Sequence, residues 1–573
     1  MKWLTILYFL LLSTLLNPNL AASEKDSWAY RTLETMSLDE KIGQLFMIAG
    51  YIDPEFANSE IGNKEIIREI DHYITDYYVG AIAFVGPSES IKQVTLTNHY
   101  QEISKYPILI AQDLEWGLSM RLKDGMRFPK NGTLGGIEDN DLIYEMGKEI
   151  GTQAKSIGVH MNLSPVLDVN IEPENIVINT RSFGSCPKQV AEKGIAMIQG
   201  LQDAGIIASA KHFPGLGDIK VDPHLGLPYN QHGKTRLQNV ELYPFAEAIK
   251  AGILSIQTEH VLVPSLESDP NLPSSLSSNV VQNLLKNELG FKGLVLSGAL
   301  RMTALTNHFS QEEITVQAFL AGHDMLLMPQ DFLKANQAIK TALAEGKITE
   351  EDVNNRVLKI LEIKERVKLD LQRITPIPTT EELHSPSAEK LKKHLYQSAT
   401  TVIRNKKNLI PISTSLPIAY IQLGDATSSG YMERLGQSLK LDTFIFPLIQ
   451  NSAQEEEKLV EQLEKYSKII IAVYPADPRR IVQIRLLNKE NQKEELKHFR
   501  VHGIPESLVP LINTLKRFQE KSIVTFFGNV FGLPFFNEYS TLVMAYEDDP
   551  DAEQAAADIV LGQTPLKNAE HTK

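Results

Sequence analysis

Lys211-His212-Phe213-Pro214, followed closely by Asp222-Pro223-His224, gathers an ammonium, two imidazoles and a carboxylate on a segment interrupted by Gly215, Gly217 and Gly226. Imidazole is the side chain that takes or gives a proton near neutral pH, and a neighbouring carboxylate can orient one ring nitrogen and favour the charged ring. Two chemistries use such a set. His212, Asp222 and His224 could ligate a metal, because imidazole and carboxylate suit Zn or Fe. The loop, however, has neither a His-Glu-x-x-His helix nor a Cys ligand, and "PGLGDIK" lacks the Gly-Lys-Ser/Thr element of a phosphate loop. The preferred reading is an Asp222–His224 dyad that moves a proton, with no metal and no cofactor.

Other polar residues end apolar runs in the same way. Asp113 closes "YPILIAQD", Asp168 and Asn170 close "GVHMNLSPVLDVN", Lys211 and His212 follow "GIIASA", and Glu259 and His260 follow "GILSIQT". With "IGQLFMIA" at 42, "VGAIAFVG" at 79, "GLVLSGAL" at 293 and "GHDMLLMP" at 322 these make eight candidate strands. Between them lie helix-period stretches such as "DLIYEMGKEIGTQAKSIG" and "PKQVAEKGIAMIQGLQDAG", each closing on a glycine. The alternation predicts an α/β fold, a (β/α)8 barrel over 24–370, and the polar strand ends would then form its C-terminal, active-site face.

Beyond the barrel, "DLQRITPIPTTEELHSPS" is rich in Pro, Thr and Ser and predicts a linker at 371–390. "LPIAYIQLG", "KIIIAVYP", "KSIVTFFGN" and "STLVMAYE" are buried-strand runs separated by helical segments, predicting a smaller αβα layered domain over 391–573. The net charge of -14 offers no basic face for phosphates, which argues against a nucleic-acid partner. Cys186 is the sole cysteine, so no internal disulfide can form.

Lys2, the apolar stretch Leu4–Leu16 and the small residues Ala21, Ala22 and Ser23 read as a secretory signal over 1–22. That predicts a secreted or periplasmic protein with no stable membrane insertion after cleavage. An uncleaved anchor is the alternative, although the stretch falls short of the roughly 20 residues a spanning helix needs. A monomer is expected.

These segments resemble the family-3 glycoside hydrolases, in their bacterial β-N-acetylhexosaminidase branch. "KHFPGLGDIKVDPHLGLP" is similar to that branch's signature loop, "NTRSFGSCP" at 179 to its arginine motif, and "NLSPVLDVN" at 162 to its fourth-strand motif. "QDLEWGLSMR" at 112 resembles its Asp-Gln-Glu-Gly-Gly motif, and "AYEDDPDAEQAAADIVLGQTP" the end of the family's second domain. The resemblance implies hydrolysis of terminal β-linked N-acetylglucosamine with retention of configuration, on a small carbohydrate or muropeptide-type substrate. It implies that Asp113, Arg121, Arg181, Lys211 and His212 hold the sugar's hydroxyls and that His224 with Asp222 is the general acid/base.

Two positions depart from the family. Gly298 stands where the resemblance implies the nucleophilic Asp, and Trp116 where a Gly is usual, so the rim of the sugar pocket is expected to differ. Ser297 and Ala299 match the family, on which ground an Asp at 298 is expected to be accommodated. Two readings stay open. In one, an altered glycosidase uses another acid, Glu259 or Glu115, or the substrate's acetamido group. In the other, the chain is a catalytically inactive sugar-binding pseudoenzyme of the cell envelope.

Overall fold

The computed structural model describes residues 26–51, 63–448, 453–476 and 502–565. The expected signal at 1–22 and the Lys/Glu-rich patch near 488–497 lie outside the described residues. All eight expected barrel strands are present: β1 (Phe46–Tyr51), β2 (Ala81–Val85), β3 (Leu109–Gln112), β4 (Met161–Asn162), β5 (Ile207–Phe213), β6 (Ser255–Thr258), β7 (Leu294–Leu296) and β8 (Leu326–Leu327). They pair in parallel in the order β7-β6-β5-β4-β3-β2-β1-β8. A bridge from Leu296 to Met325, with the Ser297 N–H donating to the Met325 carbonyl at 3.1 Å, brings β7 beside β8 and nearly closes the ring. Strands covered on both faces should be apolar throughout, and β2, β3, β5 and β7 are buried along almost their whole length.

Two strand boundaries differ from the sequence reading. "IGQLFMIA" does not start a strand at Ile42, because Ser37 and Glu40 form a capping box that carries Leu38–Gln44 as a helix and delays β1 to Phe46. β4 is regular only over Met161–Asn162, since Pro165 has no N–H to give to a ladder. Pairing with β5 continues through Ser164 and Pro165 carbonyls and the Val166–Lys211 bridge. Between the strands, helices Asn140–Ser156 and Pro187–Asp203 end just before Gly158 and Gly205, both in the left-handed region at φ 75° and 90°.

The second domain holds β9 (Thr401–Asn405), β10 (Ile418–Leu423), β11 (Leu441–Phe446), β12 (Ile469–Val473), β13 (Ser522–Phe526) and β14 (Thr541–Met544), ordered β11-β10-β12-β13-β14-β9. Only β9 runs antiparallel. Two of its strands, β9 and the edge strand β11, were not among the expected runs. β11 has no fully buried residue, mixing exposed and half-buried positions as an edge strand does. The expected 371–390 linker is not irregular throughout: Thr380–Leu383 is a helix and Pro386–Ala399 begins within it, the two capped by Thr379 and Ser385. Thr379, Ser385 and Pro386, part of what suggested a linker, are helix-starting residues here.

The domains are joined through Glu547, just after β14. Its buried carboxylate accepts from the Lys130 N–H at 2.7 Å, from Arg127 Nη2 at 2.8 Å and from the Thr133 hydroxyl. Burial alone would raise its pKa, but Lys130 and Arg127 outweigh it and hold the group below its ordinary 4.5. A depressed carboxyl contributes stability that is present above the ordinary value and lost as pH falls below it. Glu547→Ala, which leaves Arg127 only its 4.0 Å contact with Asp549 and strips the Lys130 N–H of its acceptor, is expected to cost about 3 kcal/mol at pH 7 by urea denaturation. The deficit relative to the native chain should shrink as the pH is taken below 4.5.

Candidate active site

Seven polar side chains from the ends of three strands, β3, β4 and β5, meet at the mouth of the barrel. Lys211, in β5, donates from Nζ to Asp113 Oδ1 at 2.5 Å and lies 3.0 Å from Glu115 Oε1. Arg121 Nη2 donates to the other Asp113 oxygen at 2.6 Å. Arg181 grips Glu115 with two parallel bonds, Nη2 to Oε1 at 2.7 Å and Nε to Oε2 at 2.9 Å, the fork geometry that orients a guanidinium most firmly. Burial would raise both carboxyls. Lys211 and Arg121 instead hold Asp113 far below the usual range, and Arg181 with Lys211 pulls Glu115 down to about 2. His212 Nδ1 bonds Asp168 Oδ2 at 2.6 Å, while Asp168 Oδ1 accepts from the Leu216 N–H at 2.6 Å. With Nδ1 as donor to Asp168, Nε2 is an acceptor that faces Arg181 Nη2 at 3.4 Å.

Asp113, Arg121, Arg181, Lys211 and His212 therefore form one network. His224 and Asp222 lie on the loop after β5, which is tied to the segment after β7 by the Ala304 N–H donating to the Pro223 carbonyl at 3.2 Å. Asp222 Oδ1 accepts from both the His224 N–H and its Nδ1, each at 2.8 Å. Asp222 is 4% exposed in its side chain and His224 is 64% exposed, so the carboxylate is built in and the ring stands at the rim. The Asp222 hydrogen bond raises the imidazole's pKa above 6.5, against the opposing effect of burial.

The three residues weighed as metal ligands are not brought together in that sense, since His212 and His224 use Nδ1 on different carboxylates. Among the described residues one other trio, Asp218, His232 and Glu241, is close enough for a cation. The Arg236 guanidinium already occupies it, bonding Glu241 at 2.7 and 2.8 Å and Asp218 at 3.2 Å.

Of the two spare acids proposed from sequence, Glu115 is committed to Arg181 and Lys211. Glu259, directly after β6, is not. Its Oε1 accepts from the His260 N–H at 2.8 Å, and among the described residues neither a lysine nor an arginine pairs with it. Trp116, expected to alter the rim, is buried with the Lys130 ammonium 5.8 Å from its ring centre, so it packs inward instead of projecting as a lip.

The site also depends on residues that the sequence did not single out. Asn179 sits in the left-handed region at φ 40°, a conformation asparagine tolerates better than most residues. Its carbonyl accepts from Asn170 Nδ2 at 3.1 Å and its side chain from Asn529 Nδ2 of the second domain at 2.7 Å. Asn131 Nδ2 donates to the Arg181 carbonyl at 2.7 Å. The second domain thus holds the turn that carries Arg181. The Asn-Thr-Arg motif hinted at this turn, but a contact across 350 positions leaves no local signal.

Gly298 follows β7, and its backbone is not in the left-handed region, yet the expectation that Asp would fit there is corrected. A Cβ on Gly298 would lie 2.8 Å from Glu259 Oε1 and 2.9 Å from the His260 ring. The glutamate can swing aside. The ring cannot, because Nδ1 bonds Ser275 Oγ at 2.6 Å and Nε2 donates to the Ala299 carbonyl at 3.0 Å. Gly298→Ala is therefore expected to destabilise the protein by about 1–3 kcal/mol through overpacking, seen as a lowered urea midpoint with unchanged slope.

The family model "Glycosyl hydrolase family 3 N terminal domain" matches residues 37–363. The chain is 27% identical over 473 residues to Beta-hexosaminidase A of Pseudoalteromonas piscicida, covering 77% of each chain. It is 37% identical over 260 residues to a Beta-hexosaminidase of Nitrosomonas eutropha, 44% of this chain and 74% of that one. Among solved structures, a glycoside hydrolase family 3 β-N-acetylglucosaminidase from a Paenibacillus species superposes with a TM-score of 0.74 at 27% identity, covering 93% of this chain and 98% of that one. A barrel of this topology, a network of charged residues at its mouth and a family match spanning the barrel lead to one statement: this chain belongs to glycosyl hydrolase family 3.

Proposed function

We propose that the chain is a β-N-acetylhexosaminidase that removes terminal β-linked N-acetylglucosamine from peptidoglycan fragments or amino-sugar glycans. The observation that carries this reading is the Asp113–Lys211–Glu115–Arg181 network lying within electrostatic reach of the Asp222–His224 pair. A pyranose needs donors and acceptors around its ring. Asp113 offers lone pairs, Lys211, Arg121 and Arg181 offer N–H groups, and the Asp168-oriented His212 offers Nε2. The names of the relatives support an amino-sugar substrate. A secreted or periplasmic location is part of the same reading and rests on the apolar N-terminal segment.

His224 is the general acid. With Nδ1 held by Asp222, its Nε2 proton goes to the glycosidic oxygen as the aglycone leaves toward solvent, and the neutral ring then takes a proton from the attacking water. Gly298, at the position where the family resemblance implies the nucleophile, has no group to form a bond to the anomeric carbon.

An aryl β-N-acetylglucosaminide should release its phenol, and calorimetry should show N-acetylglucosamine binding. Binding without release would favour the sugar-binding pseudoenzyme, and neither would overturn both readings. On a substrate with a poor leaving group, which must be protonated, the rate should hold above pH 6.5 and fall as pH rises through the raised His224 pKa. Asp222→Asn removes the cause of that rise, so its alkaline limb should move to lower pH. An unmoved limb would take Asp222 out of the mechanism.

A further inference from the structure

We infer that Glu259 is the catalytic nucleophile of this chain, its carboxylate reaching from the end of β6 into the space that the absent side chain of Gly298 leaves open. The inference rests on the hydrolase reading above and names the group that reading lacks.

Elimination among the carboxylates at the strand ends comes first. Asp113 is held by Lys211 and Arg121, Glu115 by Arg181 and Lys211, Asp168 by His212 and the Leu216 N–H, and Asp222 by His224. Among the described residues neither Asp168, which faces the neutral His212 ring, nor Glu259 pairs with a lysine or arginine, but both Asp168 oxygens accept from donors whereas only Oε1 of Glu259 does. Its one neighbouring ring, His260, is kept in the neutral form by burial, with Nε2 donating to the Ala299 carbonyl. Glu259 is nearly buried, with 7% of its side chain exposed, and one of its carboxylate oxygens is uncommitted.

Direction comes next. Residues 255, 257 and 259 share one face of the extended β6 segment. The Ser255 hydroxyl meets that of Ser209 at 2.9 Å, on the face of β5 that also carries Lys211 into the site. Glu259 thus points into the mouth. Its Oε1 lies 2.8 Å from where a residue-298 Cβ would be. Bond geometry places an Asp carboxylate oxygen at a comparable distance from its own Cβ. Glutamate from the neighbouring strand therefore delivers its charge to the same place, and the glycine is what makes room for it. The His260 N–H fixes Oε1, while among the described residues no donor is aimed at Oε2. His224 feels the Glu259 charge, one of the causes that raise its pKa.

In the first step Glu259 Oε2 bonds to the anomeric carbon as the glycosidic C–O bond breaks, and the His224 Nε2 proton goes to the departing oxygen. In the second, water attacks the anomeric carbon, gives a proton to His224 and releases Glu259 as carboxylate, so configuration is retained over the two displacements.

Trapping the native enzyme with a 5-fluoro N-acetylglucosamine analogue bearing an activated leaving group should add one sugar mass to the peptide containing Glu259. Glu259→Gln should lower kcat/KM on the aryl glycoside by at least about 10³-fold while N-acetylglucosamine affinity is kept. In Glu259→Ala, azide entering the vacated space should restore turnover and yield the α-glycosyl azide. A label on another residue, or Glu259→Gln turnover within about tenfold of native, overturns the assignment and leaves the hydrolase reading standing. A native enzyme that binds the sugar but never turns over removes both.

Discussion

Burying the Lys211 ammonium at the end of β5, with 4% of its side chain exposed, would cost several kcal/mol if nothing faced it. Everything else at the mouth answers that constraint. Asp113 and Glu115 come from the segment after β3 to meet the charge, and Arg121 and Arg181 neutralise the surplus of the two carboxylates. Because each group in such a lattice has at least one charged partner, none is free to rotate, and the donors and acceptors at the mouth are already aimed. The same low dielectric that makes an unpaired charge expensive makes these pairs rigid.

Rigidity at Arg181 is imported from outside the barrel. Its turn passes through the left-handed Asn179, which Asn529 grips from the loop after β13, and the adjoining Lys130–Thr133 segment is held by Glu547 from the end of β14. The second domain therefore holds the turn that carries Arg181 without placing a charged group beside Arg181 itself. Its parallel sheet is the frame that presents Asn529 and Glu547 at the interface.

Gly298 and Glu259 belong to a single packing problem. The space beyond the glycine backbone is bounded by the His260 ring, which is bonded at both nitrogens, and is filled by the Glu259 carboxylate. Only one acid fits there. Which strand end supplies it is a matter of side-chain reach, since residues on adjacent parallel strands sit side by side and glutamate is one methylene longer than aspartate.

Local patterning determined a good deal of this protein. Eight apolar runs and the glycines closing the helices between them predict the barrel, and the polar residues ending those runs mark its active face, because strand burial and helix termination are short-range properties. The Asp-Pro-His spacing likewise holds Asp222 and His224 together without help from the rest of the chain. Composition was misleading where one residue type serves two purposes, as with the Ser and Thr near 380 that cap helices and the Ser37–Glu40 box that takes the front of the first expected strand. What tertiary structure alone decided is which charges meet. Glu115 and Glu259 look equivalent as spare acids in the sequence. Arg181, 66 positions from Glu115, consumes the first, and Gly298 on the neighbouring strand makes room for the second. Partner choice among buried charges is fixed by distance in space, which residue spacing along the chain does not encode.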